Sequence, residues 1–305
     1  MHVKSFIAAT ASTSSRWGEL DANLAKVISA MERAADDNAR LLLLPECCIT
    51  GANWPTGVKL PSVEDTAISL GGAQMREVAR AAKRTGVVVS PGLYEKHSGR
   101  VYVTQALIGP KGIIGVYRKV HEGRRSSDEH VPFPVFDLGF ARVGISICRD
   151  NMLPECVRIL ALKGAEVLLS PFTSLPLSRN EWRLERLVAL RARAQDNRLF
   201  VVSASHAQPH VPGKPSEWGY SGICCVISPL GEVISESKGR CGCPQYLVVT
   251  LDESLQRTYL LADVPSIRDR RPALYRELTD EKLQKKYVKN APRFRYNEEA
   301  DRLTV

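Results

Sequence analysis

Leu41-Leu42-Leu43-Leu44-Pro45-Glu46 is a short apolar run closed by a proline and a carboxylate. Four successive leucines leave no polar face, so the run reads as a strand buried on both sides. Proline brings no N–H to a ladder and ends it, which leaves Glu46 just past the strand. On the N-terminal side, Leu24, Val27, Ile28, Met31 and Ala35 recur at helical spacing, preceded by a strand from Val3 to Ala9. On the C-terminal side, Met75, Val78, Ala79 and Ala82 mark a second helix, stopped by Gly86 before the strand Val87-Val88-Val89.

The same alternation recurs further on. Val101 to Ile108 and Ile113 to Tyr117 flank the turn signal Gly109-Pro110-Lys111-Gly112 and read as a hairpin. Val143 to Ile147 is another buried strand. A helix from Glu155 to Lys163 follows, then a strand from Val167 to Leu169, a helix from Glu181 to Asp196 and a strand from Phe200 to Ala204. Two more strands, Ile223 to Ile227 and Tyr246 to Leu251, surround Pro229-Leu230-Gly231. The halves resemble each other and no Ser- or Gly-rich linker divides them. The expectation is one α/β domain over residues 1–262, with a two-layer sheet core covered by helices, and a Pro- and Arg-rich arm over 263–305 that must pack on something.

With 305 residues, 44% of them apolar, the chain can bury a sizeable core. No basic-apolar-small leader opens the sequence and no run of about 18 apolar residues suggests a span, so a cytoplasmic protein with reduced thiols is expected. The 8 cysteines occur largely as Cys47-Cys48, Cys224-Cys225 and Cys241-Gly-Cys243, with Cys148 and Cys156 apart. Adjacent residues on a strand face opposite ways, so the first two pairs read as small core hydrophobes rather than chelators, and no metal is expected. The net charge of +9 concentrates in Arg118 to Arg125 and in a tail holding Lys282, Lys285, Lys286, Lys289, Arg293 and Arg295. Neither stretch interleaves base-stacking aromatics, which argues for a solvated face or subunit contact over nucleic acid.

Three polar residues sit where open α/β sheets place ligand sites, just past apolar strands: Glu46, Lys119 and Cys148. They lie in segments that resemble, in order, the three signature blocks of the nitrilase superfamily of carbon–nitrogen hydrolases. The segments are Leu43-Leu44-Pro45-Glu46 with Gly51, Tyr117-Arg118-Lys119-Val120-His121, and Gly144-Ile145-Ser146-Ile147-Cys148-Arg149-Asp150 leading to Pro154-Glu155. The resemblance continues through Leu162-Lys163-Gly164-Ala165-Glu166, Arg193-Ala194-Gln195-Asp196-Asn197 and Arg271-Pro272-Ala273-Leu274-Tyr275, nearly the whole chain. It implies a four-layer αββα sandwich of two mixed sheets packed face to face with helices outside, doubled by dimer formation. It also implies a Glu46-Lys119-Cys148 triad without a cofactor, acting on a small-molecule amide or carbamoyl compound.

Many members carry a second glutamate after the lysine, for which Glu129 and then Glu122 are candidates. Trp54, Phe172 and Trp182 are expected near the mouth of the site. Where nitrile-cleaving members commonly have Trp-Glu after the cysteine, this chain has Arg149-Asp150, which is similar to the amidase and carbamoylase branches. Arginines that hold a substrate carboxylate in hydrolases of N-carbamoyl-D-amino acids are replaced by Asn151 and Met152. Arg149 is a substrate contact or a structural ion pair. His206 and His210 raise a Cys-His protease, but no protease signature surrounds Cys148. A nitrilase and a catalytically silent binding protein are the alternatives to an amidase.

Overall fold

The computed structural model describes residues 4–51, 61–122, 125–126, 132–173, 183–207, 222–239, 244–255 and 267–290. The chain divides into two units, Met1–Ala52 with Lys59–Leu261, and Asn53–Val58 with Ala262–Val305. The larger unit holds two mixed sheets. In the first, β15 (Tyr246–Leu251), β1 (Phe6–Ala11), β2 (Leu41–Leu43), β3 (Val88–Ser90), β5 (Arg100–Gly109) and β4 (Gly92–His97) lie side by side, and β6 (Gly112–Arg118) pairs with β5. The second runs β14 (Val233–Glu236), β13 (Cys225–Ile227), β12 (Phe200–Ala204), β11 (Val167–Pro171), β10 (Arg142–Ile145) and β9 (Val135–Asp137). A separate two-stranded ladder joins β7 (His121–Glu122) to β8 (Arg125–Ser126).

Each sheet has a parallel centre, β1-β2-β3 and β10-β11-β12, with antiparallel strands outside it. Helical connections between parallel strands explain that pattern. Helix α1 (Leu20–Asp36) buries Val27, Met31 and Ala34. Helix α2 (Val63–Thr66) is one short turn, capped by Ser62. Helix α3 (Ala73–Thr85) buries Met75, Val78, Ala81 and Ala82, and ends where Gly86 turns left-handed. On the second sheet, α4 (Pro154–Leu162) and α5 (Val188–Asn197) bury Val157, Leu160, Leu190 and Ala194. The sheets meet face to face, and Thr10 of β1 donates its hydroxyl across the gap to the Ser203 carbonyl of β12 at 2.9 Å. The result is the four-layer αββα arrangement.

The paired leucines of β2 are fully buried, as their lack of a polar face requires. Five strands, β4, β7, β8, β9 and β14, are not announced by the sequence pattern; β4 carries Tyr94, Glu95, Lys96 and His97 and looks polar. Cys47 and Cys48 do not lie on a strand. They occupy the turn after β2, with Cys47 at φ 56, yet both are buried, as are Cys224 and Cys225. The strand expected over Val143 to Ile147 ends at Ile145.

The smaller unit contains the single-turn segments Ile267–Asp269, Pro272–Leu274 and Arg276–Thr279, followed by helix α6 (Glu281–Asn290). It exposes Leu274, Leu278 and Leu283. No described helix of either unit is long and apolar enough to cross a membrane.

Candidate active site

The C-terminal ends of strands from both sheets converge on one place. Glu46 follows β2 and Lys119 follows β6, both in the first sheet, while Cys148 follows β10 and Thr173 follows β11 in the second. The Lys119 ammonium donates to Glu46 Oε1 at 2.7 Å, and the backbone N–H of Thr173 donates to Glu46 Oε2 at 2.8 Å. One carboxylate is thus gripped through both oxygens, by groups from opposite sheets. Glu46 is 3% exposed and the Lys119 side chain 11%, so little water screens the pair.

The turn that presents Glu46 depends on a close approach. A Cβ on Gly92, the first residue of β4, would lie 2.7 Å from the Pro45 carbonyl oxygen and would overlap the Cys47 nitrogen. Only glycine lets β4 pass beneath this turn. Gln105 of β5 ties the same turn down, its amide donating to the carbonyls of Leu44 at 3.0 Å and Ser90 at 2.7 Å. Lys119 is held through its neighbour: Arg118 donates Nε and Nη2 to the buried Glu95 carboxylate at 2.7 and 2.6 Å, a bidentate pair that fixes the end of β6.

Cys148 opens a short 3-10 turn (Cys148–Met152) with φ 47. A left-handed residue with a Cβ costs about 1–2 kcal/mol, and here it lifts the thiol out of the strand line. The side chain keeps partial access. Burial pushes its pKa above the ordinary thiol range and the Glu46 carboxylate pushes the same way, while Lys119, Arg186 and the Thr173 N–H pull it back. Burial disfavours the Lys119 charge, but Glu46 and Cys148 outweigh it, so its pKa is raised and the ammonium persists. The thiol thus sits beside an ammonium–carboxylate pair.

A second network locks the lysine strand onto the cysteine turn. Asp150, wholly buried, accepts from the Tyr117 hydroxyl at 2.6 Å and from the His121 backbone N–H at 2.9 Å, and lies 2.7 Å from His121 Nδ1. Tyr117 and His121 are each two residues from Lys119, and Asp150 is two residues from Cys148. The carboxylate consequently sets the spacing of ammonium and thiol. Replacing Asp150 with Asn keeps the shape but removes the charge that strengthens these bonds, at a cost of about 2 kcal/mol. We expect a lower urea midpoint with an unchanged slope and a kcat that falls more than KM rises; an unmoved midpoint with unmoved kcat would show that the network positions nothing.

His206, fully buried after β12, lies 2.5 Å from the Glu46 carbonyl oxygen through Nε2 and 3.2 Å from that of Thr13 through Nδ1. It is a tie between sheets beneath Glu46, with its pKa lowered by burial. Asn151 turns inward and donates to the carbonyls of Ser146 and Cys148. Arg149 is exposed and makes no ion pair among the described residues. Phe172 is 1% exposed and serves as a wall under Arg186. Trp54, Trp182, Glu129 and His210 lie outside the described residues, and only the backbone of Glu122 is described, in β7. Among the described residues no cluster of His, Cys, Asp or Glu is placed to hold a metal. Thr173 carried no sequence signal, because its contribution is a backbone N–H, and Arg186 went unnoticed in an irregular turn.

These features define a class: an αββα sandwich in which a carboxylate, an ammonium and a thiol meet at the carboxyl ends of strands from two sheets. The carbon-nitrogen hydrolase family model matches residues 7–258. A nitrilase from Pyrococcus abyssi is 32% identical over 273 residues, covering 84% of this chain and 94% of its own. An omega-amidase from Xenopus laevis is 31% identical over 269 residues, covering 83% and 91%. Among solved structures, an amidase from Nesterenkonia sp. superposes with a TM-score of 0.71 at 23% identity, covering 91% of this chain and 98% of that one. The chain belongs to the carbon–nitrogen hydrolase family of the nitrilase superfamily and is an enzyme of that class.

Proposed function

We propose that the enzyme cleaves the C–N bond of a small amide or N-carbamoyl compound through a thioester on Cys148, with Glu46 as proton carrier and Lys119 as oxyanion stabiliser. The observation that carries this reading is the doubly gripped Glu46 carboxylate, whose charge and whose two donors all bear on the Cys148 thiol. Glu46 takes the thiol proton as sulfur attacks the carbonyl carbon. The oxygen gains negative charge, which the Lys119 ammonium and a backbone N–H beside the thiol stabilise. Glu46 passes its proton to the leaving nitrogen, the C–N bond breaks and ammonia or an amine departs. Water, deprotonated by the same carboxylate, then opens the thioester to release the acid and restore the thiol. Glu129 is the residue we assign to ordering this site. The Nesterenkonia amidase, in a mutant form, carries the acetamide moiety of fluoroacetamide on its active-site cysteine, which supports a reactive thiol at this place in the fold.

The Pyrococcus relative favours a nitrilase as the second reading. Ammonia release from matched amides, ureido compounds and nitriles separates the two. A nitrile consistently outrunning its amide would overturn the amidase assignment.

We further propose a homodimer or higher even oligomer. Leu162 of α4, 48% exposed, Leu184 on the turn before α5, 69% exposed, and Val188 at the start of α5, 58% exposed, leave apolar surface on the helical layer, and the Lys/Arg-rich arm buries none of its described residues. Light scattering should give an even multiple of the chain mass, and deleting residues from Lys282 onward should weaken assembly more than it lowers Tm. A wild-type monomer at micromolar concentration refutes the assignment. The free thiols among the described cysteines support a reducing, cytoplasmic location.

A further inference from the structure

Ser12-Thr13-Ser14-Ser15 directly follows β1 and carries four hydroxyls in a row. Ser12, Thr13 and Ser14 line a cleft of about 500 Å3 together with Lys26, Ser29 and Arg33 of α1. Small-molecule sites take roughly 300–1,000 Å3, and Glu46, Lys119 and Cys148 are not among the residues that line this one. Lys26 and Arg33 stand seven residues apart, two turns of helix, so they share one side of α1 about 10 Å apart along its axis. Between them Ser29 and Ala30 are too short to fill the space.

Both cations are held in place. Lys26 donates to the Ser14 carbonyl at 2.7 Å, and the Arg33 guanidinium carbon lies 4.0 Å over the Tyr246 ring. No Asp or Glu is among the described lining residues. Burial and the Arg16 charge lower the Lys26 pKa while Glu19 works against them, so an anion in the cleft would stabilise the ammonium. A planar carboxylate is satisfied by one fork. A phosphate presents three acceptor oxygens and takes donors from several directions, which an ammonium, a guanidinium and serine hydroxyls supply here.

The same loop is tied to the turn that presents Glu46. The Thr13 carbonyl oxygen lies 3.2 Å from His206 Nδ1, and His206 Nε2 lies 2.5 Å from the Glu46 carbonyl oxygen. Two residues on, the Ser15 hydroxyl donates to the Cys48 carbonyl at 2.6 Å. A ligand that draws on Lys26 and the serines therefore pulls on a loop joined to the Glu46 turn at two points.

We propose that this cleft is a second ligand site, taking a small organic phosphate as an effector, and that its occupancy reaches Glu46 and the Cys148 thiol through the Ser12–Ser15 loop. Calorimetric titration of the full chain with ribose 5-phosphate, ribose and citrate reads the binding. One hydrogen-bonded charge pair is worth about tenfold to a hundredfold in affinity, so ribose 5-phosphate should bind at least tenfold more tightly than ribose or citrate. Lys26→Met and Arg33→Met should each remove most of that excess. Ser29→Leu, which fills the cleft and keeps both charges, should remove it as well, whereas Arg80→Met on α3 should leave it. Three variants of two kinds keep the test valid if one fails to fold. Binding should persist in protein carbamidomethylated at Cys148. The effector role is read as the rate at which iodoacetamide alkylates Cys148, followed by peptide mass. Saturating ribose 5-phosphate should change that rate about fivefold or more, and should leave it unmoved in Lys26→Met. Equal binding of ribose 5-phosphate and ribose, tighter binding of citrate, binding lost on carbamidomethylation of Cys148, or binding with an unmoved alkylation rate each overturns the proposal. Neither readout needs turnover, so a chain that hydrolyses no amide sinks the C–N hydrolase reading and leaves this test standing.

Discussion

Cys148→Ala should eliminate turnover, a loss on the order of 10⁴-fold or more, while the fold survives. Alanine keeps the Cβ, so the left-handed backbone at this position carries the same strain as before, and the side chain lost is small and partly accessible. Cys48 and Cys156 cannot take over. Cys48 is wholly buried, its sulfur accepts from the Gly92 N–H at 3.4 Å, and burial pushes its pKa up to about 12. Cys156 is likewise held at about 12 by burial and by Asp150. Cys48→Ala should therefore leave the rate within a few fold. The measurement is ammonia release, alongside a mass shift of the acylated protein that appears with the wild type and is absent from Cys148→Ala. Residual turnover in a folded Cys148→Ala chain would falsify the thioester route.

Glu46→Gln and Lys119→Met should each lower kcat by about 10²–10³-fold, yet move the thiol in opposite directions. Burial and the Glu46 carboxylate raise the Cys148 pKa, and Lys119 is one of the groups that lower it. Alkylation by iodoacetamide follows the thiolate, so its rate climbs with pH to a midpoint at the thiol pKa. Removing the carboxylate removes a negative neighbour and shifts that midpoint to lower pH. Removing the ammonium shifts it to higher pH. Glu46→Gln is then the variant whose cysteine reacts faster at neutral pH although its catalysis is lost. Lys119→Met also leaves a buried carboxylate without its counter-charge, which costs about 3–5 kcal/mol at full burial, somewhat less here because Lys119 is 11% exposed. Midpoints that move together, or not at all, would show that the three groups do not share one field.

The three residues at the centre were readable because each ends an apolar strand, where polar side chains cluster for chemistry and where the surrounding blocks carry the family pattern. The repeated strand–helix order likewise announced two similar sheets. What escaped notice depends on contacts between distant parts of the chain. Asp150 was visible only as a departure from a Trp-Glu pair, and its grip on Tyr117 and His121, 33 and 29 residues away, follows from how two sheets pack. Thr173 acts through its peptide group, which no residue type advertises. His206 looked like a protease histidine, but it faces two carbonyls rather than the thiol. Glu95 was hidden on a strand that reads as polar because its one buried charge is neutralised by Arg118.

Glu46 and Lys119 follow strands of one sheet, whereas Cys148 and the Thr173 N–H that completes the grip on Glu46 follow strands of the other. Each sheet is stitched by its own ladders, and the joins between them include side-chain contacts such as Thr10 to Ser203 and His206 to Glu46. Catalytic competence is thus a gauge of the seam. A slip of the two layers by the width of a methyl group would separate the Glu46 carboxylate from the Cys148 thiol while leaving every strand paired and every helix wound. Heat or mild denaturant should silence the enzyme before circular dichroism registers any change, and neither half of the chain, folded alone, would contain a working site.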